Sequence, residues 1–163
     1  MTIGELIDRL ANDESCEATL ARKLPELPTG LELPADIREF YQAFSSAMLF
    51  RDSECAIEVV APERFVRANP VIVGDDCPED ISFDWFIVAE SGGQYLTVDL
   101  HPKRRGRCYD SFWDRHGVAG DCPIVAFSFT ELLEQLLDAR GEYWYWLQDE
   151  FDTLGDAYDL SME

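Results

Sequence analysis

The stretch DWFIVAESGGQYLTVDL, residues 84–100, constrains the fold more than any other. Its two arms, 84–90 and 94–100, are rich in aromatic and β-branched residues and flank Ser91-Gly92-Gly93. Two such arms around a glycine turn predict an antiparallel hairpin. In the second arm Tyr95, Thr97 and Asp99 alternate with Leu96, Val98 and Leu100, so the two sets face opposite sides of a sheet.

Further strand-like segments fall at Met48–Phe50, Ala56–Val60, Cys108–Phe112 and Pro123–Phe127. Helical patterns surround them. Residues 2–11 carry Thr2 and Glu5 at capping-box spacing, with Ile3, Leu6, Ile7 and Leu10 on one face. Residues 14–24 read as a second helix with Leu20 and Leu24 on one side, followed by the loop PELPTGLELP. Pro34 opens a helix over 34–46 whose face is Ile37, Phe40, Tyr41 and Phe44. Pro62 opens a short helix, PERFVRA, ended before Pro70. Ser128 and Glu131 repeat the capping-box spacing before the stripe Phe129, Leu132, Leu133, Leu136 and Leu137, which Gly141 can end. Residues 142–151 read as helical, with Trp144, Leu147 and Phe151 on one side, and the acidic last dozen residues as frayed. Helices, then strands with short connections, then helices predict an α+β fold. Its central sheet is mainly antiparallel, with helices over one face. At 163 residues the chain fits one domain spanning 1–163.

Composition narrows the function classes. Asp and Glu number 33 against 13 Lys and Arg, a net charge of −20. Such a chain is repelled by nucleic acid and anionic membranes and attracts basic partners. The longest apolar runs, such as Phe86-Ile87-Val88-Ala89, fall far short of the roughly 20 residues a membrane span needs. The opening MTIGELIDRL has no basic n-region and does not read as a secretory signal. Five cysteines, at 16, 55, 77, 108 and 122, are odd in number and lack CxxC spacing. They read as reduced thiols in a cytoplasmic protein.

No arrangement predicts a cofactor or a metal. There are two histidines. Asp99 and His101 would point the same way in an extended chain, but no third ligand sits at a diagnostic spacing. A His-assisted Cys108 nucleophile has no further support. Lys103, Arg104, Arg105 and Arg107 share one loop, where they are solvated or neutralise nearby carboxylates. The acidic residues are more informative. No Lys or Arg occurs from Ala68 to Pro102, where Asp75, Asp76, Glu79, Asp80 and Asp84 cluster. None occurs after Arg140 either, where Glu142, Asp149, Glu150, Asp152, Asp156, Asp159 and Glu163 follow. Such blocks serve solubility or meet a basic surface.

The run IVAESGGQYLTVDLHPKRRGRCYDSFWDR, then IVAFSFTELLEQLL, resembles the SUKH superfamily, the domains related to fungal cell-wall-assembly regulators. The matching features are the Gly92-Gly93 hairpin, Asp99-Leu100, Pro102, Gly106 and the helix opening at Ser128–Leu133. Upstream, LPADIREFYQAF at Leu33–Phe44 is similar to the family's Leu-Pro-opened aromatic helix. The resemblance covers about residues 30–140. Ser45-Ser46-Ala47 stands where family members often carry Asn-Gly. The family has no shared catalytic motif. Many bacterial members are immunity proteins of polymorphic toxin systems.

The resemblance implies a non-catalytic protein that occludes a cognate toxin domain, of which a nuclease with a basic cleft is one type. The alternative is a regulatory interaction module unrelated to toxins. The first candidates for contact are Asp75, Asp76, Glu79, Asp80 and Asp84; the second are Glu142, Asp149, Glu150 and Asp152. Exposed members of Tyr143, Trp144, Tyr145 and Trp146, Trp144 among them, would serve as aromatic anchors, with at least two of the four in the core.

Overall fold

The structure is a computed structural model and describes residues 1–162. Seven strands pair in chain order as one antiparallel meander. They are β1 (Cys16–Thr19), β2 (Ser46–Leu49), β3 (Ile57–Val59), β4 (Trp85–Ser91), β5 (Gln94–Asp99), β6 (Cys108–Ser111) and β7 (Ile124–Ala126). With four helices the fold is α+β, as the sequence predicts. The β4–β5 hairpin closes at Ser91 and Gln94. Gly92 and Gly93 have φ of +55° and +85°, the left-handed conformations that a two-residue hairpin turn needs and glycine adopts freely. A bulge between Ile87 and Ala89 leaves Val88 out of the β5 ladder, and its carbonyl accepts from the Val60 amide at 3.1 Å.

Helices α1 (Ile3–Ala11), α2 (Ala35–Ala43) and α4 (Phe129–Ala139) cover one face of the sheet. Thr2 and Glu5 make both halves of the capping box that starts α1. Ser128 accepts from the Glu131 amide to start α4. Leu6, Leu10, Ile37, Tyr41, Leu133 and Leu137 are buried beneath them. The Phe40 ring meets Phe129 edge-on at 5.4 Å. Each such side chain stabilises the fold by roughly 1.5–3 kcal/mol through removal from water. Arg140 and Gly141 end α4 in left-handed conformations, φ +53° and +72°. Gly141 lies so close to the turn after β2 that a Cβ would sit 2.8 Å from the Cβ atoms of both Phe50 and Ser53.

The second face of the sheet is also covered. Trp85, Tyr109, Cys122, Ile124 and Ala157 form a smaller core there, with Ile81, Leu154 and Tyr158 packed against it. The short helix α3 (Ala68–Ile72) adds Asn69 to this side, and residues 154–158 lie across it.

Four local expectations are corrected. Residues 14–24 are not helical: Cys16–Thr19 pairs with Ser46–Leu49 as an edge strand, and Leu20 is exposed. Ladder hydrogen bonds to β2 outweigh the weak helical pattern. The stretch after Pro62 is a 3-10 turn, Pro62–Arg64, and α3 runs through Pro70 rather than stopping before it. Pro70 lies in the first turn of α3, where its missing N–H costs nothing. Residues 142–151 contain one 3-10 turn, Tyr145–Leu147, with Leu147 exposed. Tyr145 is pinned instead by its hydroxyl, which donates to the Val125 carbonyl at 2.5 Å. Residues 154–159 of the C-terminal segment are docked, not frayed. Ile124 and Ala157 amides donate to Gly155 and Cys122 carbonyls, each at 2.9 Å, and Ala157 is buried.

Candidate partner-binding surface

The first acidic block divides in two. Asp75, Asp76 and Glu79 stand exposed on the loop after α3. Asp75 also accepts from the Cys77 amide at 3.1 Å, which shapes that loop. Asp80 and Asp84 are half-buried and already engaged. Asp80 caps the 3-10 turn Ile81–Asp84 and accepts from Ser82 and from the Tyr158 hydroxyl at 2.7 Å. Burial pushes the Asp80 carboxyl up, but the Ser82 and Tyr158 hydrogen bonds prevail and hold it below the usual carboxylate range. Asp84 pairs with Arg67 at 2.9 Å, and that guanidinium lies over the Phe83 ring, 3.9 Å from its centroid.

The second block sits on other elements. Glu142, Asp149, Glu150 and Asp152 are exposed on the segment that follows α4. Asp156 is a clasp: its carboxylate accepts from the Gly120 and Cys122 amides at 3.0 and 2.8 Å. Glu163 lies outside the described residues. The structure joins the two blocks through the docked C-terminal segment, where the Tyr158 hydroxyl donates to Asp80. Among the described residues no Lys or Arg pairs with Asp75, Asp76, Glu79, Glu142, Asp149, Glu150 or Asp152. Their field is uncompensated by direct contact, which favours encounter with a basic surface.

The four aromatic candidates divide evenly. Tyr145 and Trp146 are buried, while Tyr143 is 41% exposed. Trp144 is half-buried, stacked on Trp146 at 5.4 Å and edge-on to Phe112 at 5.6 Å. One exposed ring had no signal in the sequence: Trp113, 73% exposed. The strand-end pair Phe112-Trp113 turns one ring inward and one outward, and nothing in the residue types says which. Glu131 and Gln135, one turn apart on α4, also face the 143–154 segment. Their i, i+4 spacing on the polar face of a predicted helix was the available signal.

The residues weighed for chemistry are held in local hydrogen bonds. Asp99 is fully buried and accepts from Trp85 Nε1, Arg104 Nε, the Tyr109 hydroxyl and the His101 amide. The imidazole of His101 turns away and accepts from the Lys103 amide through Nδ1. Arg104 is the loop base that neutralises a carboxylate, at 2.8 Å from Asp99. Cys108 is buried, and burial pushes its thiol well above the ordinary range. Among the described residues no group of three or more His, Cys, Asp or Glu is placed to hold a metal ion. Among the described residues no helix is long and apolar enough to cross a membrane.

Comparison with known proteins adds two findings. The profile of the SMI1/KNR4 family (SUKH-1) matches residues 17–135, reaching further toward the N-terminus than the resemblance legible in the sequence. A Bacillus subtilis (strain 168) protein named immunity protein YokJ is 46% identical over 160 residues, covering 98% of this chain and 97% of that one.

Proposed function

The chain belongs to the SMI1/KNR4 (SUKH-1) family, and from that membership we propose that it is an immunity protein. It acts in the cytoplasm as one domain, binds a cognate toxin domain and occludes it without chemistry of its own. The observation that carries the reading is likeness along nearly the whole chain to a protein named for immunity. The uncompensated carboxylates support a partner with a basic surface. A nuclease is the toxin type whose substrate cleft such a surface would imitate. The five free thiols are consistent with a reducing compartment.

Co-expression tests the reading. A toxin encoded beside this gene should kill cells alone and spare them when this protein is present. Failure to rescue, with both proteins folded and expressed, refutes it. Binding measured from low to physiological salt should weaken as exposed charges are screened, and salt-independent affinity would remove the acidic surface from the account.

A further inference from the structure

An open groove runs between α4 and the segment 143–154. Its floor is apolar, made by Tyr145, Phe151 and Leu154, with the two rings edge-to-face at 5.4 Å. Its rim is carboxylate: Glu131 from the first turn of α4, then Glu150 and Asp152. The amides of Gln135 and Gln148 lie between. No Lys or Arg lines the groove, and among the described residues no ion pair reaches these three carboxylates.

An apolar trough with a negative rim fits a side chain that has an apolar stem and a cationic head. Arginine fits better than lysine, because its planar guanidinium stacks on aromatic rings and bonds carboxylates in a fork. The 75–80 loop offers less. Its depression, lined by Asp75, Cys77, Pro78, Glu79 and Asp80, has no aromatic floor, and Asp80 is already engaged.

Resting on the immunity reading, we propose that the groove between α4 and residues 143–154 seats an arginine side chain from the basic surface of the toxin. The interface is centred there. The 75–80 loop contributes long-range attraction rather than contact.

Two triple variants carrying the same charge change separate these roles: Glu131→Gln/Glu150→Gln/Asp152→Asn in the groove, and Asp75→Asn/Asp76→Asn/Glu79→Gln on the loop. The probe is the toxin domain encoded beside this gene, with association and dissociation rates measured by surface-based kinetics. The groove variant should weaken Kd about tenfold or more, mainly through faster dissociation, because partly desolvated charge pairs act on that rate. The loop variant should slow association a few-fold at most and leave dissociation unchanged. Tyr143→Ala, at the exposed mouth of the groove, removes contact area without touching a charge and should also speed dissociation. It covers the case in which the groove triple variant fails to fold. Equal effects of the two triple variants, or wild-type dissociation from both groove variants, overturn the proposal while the immunity reading stands. A wild-type protein that neither binds nor rescues removes the immunity reading itself, and the groove's occupant with it.

Discussion

Protonation of His116 should destabilise the fold by a calculable amount. The side chain is 7% exposed, and its Nε2 lies 2.6 Å from Asn69 Oδ1. Asn69 Nδ2 is committed to the Asp76 carbonyl and Ser82 Oγ, so the amide is fixed and the imidazole must donate from Nε2. That leaves Nδ1 buried and bare. Trp85 meets the ring edge-on at 5.6 Å, and Asp80 is the nearby charge. A second proton would have no acceptor. Burial therefore lowers the imidazole from 6.5 to about 4, against a smaller opposing pull from Asp80.

The unfolded chain takes up this proton more readily than the folded one. Stability is complete above the unfolded value and falls as pH drops from about 6.5 to about 4, where the loss levels off. At ~1.4 kcal/mol per pH unit the gap is worth about 3 kcal/mol, of which about 2 appears between pH 7 and pH 5. Urea unfolding of the wild type and of His116→Gln at both pH values isolates the effect, since both share every carboxylate. The wild type's advantage should shrink by about 2 kcal/mol at the lower pH. A difference that stays constant across this range would refute the assignment of a bare, buried Nδ1.

Two further substitutions test the architecture. Asp99→Asn replaces one acceptor with a donor facing the Trp85, Arg104, Tyr109 and His101 donors. It also strips Arg104 of its partner, so denaturant unfolding should show a loss of about 3–5 kcal/mol; a loss below about 1 kcal/mol would contradict the hub. Gly141→Ala forces a side chain into a left-handed conformation and against Phe50 and Ser53. It should cost about 1–3 kcal/mol in thermal unfolding, and an unchanged Tm would mean that the turn after β2 yields freely.

The hairpin and the capped helices were legible because their signals are local. Gly92-Gly93 dictates a turn type, and Thr2 with Glu5 or Ser128 with Glu131 satisfies backbone donors within a single turn of helix. Two of the failures share one cause. Cys16–Thr19 becomes a strand because β2, some thirty residues away, offers it a ladder. The C-terminal segment docks because Trp85 and Tyr109 leave an apolar surface that only the folded sheet presents. The candidate surface was half legible. Charge runs identify acidic blocks but not which members turn inward: Asp80 and Asp84 do, to Tyr158 and Arg67, whereas Asp75 and Asp76 do not. The groove could not be read from the chain, since Glu131 and Asp152 come to line it only after α4 and residues 143–154 pack.

The meander order bears on how quickly protection is available after synthesis. Every strand pairs with its successor, so each ladder can close once the next strand has left the ribosome, although β1–β2 and β3–β4 pair across about thirty residues. The helical layer is completed later than the sheet, because α4 follows β7 in the chain. Helix α4 closes on α1 through Arg9–Asp138 at 2.8 Å and on the loop after α1 through Arg140–Asp13 at 3.0 Å. The groove proposed to hold the toxin's arginine is built from α4 and the residues that follow it. A nascent chain would therefore carry a formed sheet before it carries the groove, which needs residues through Leu154.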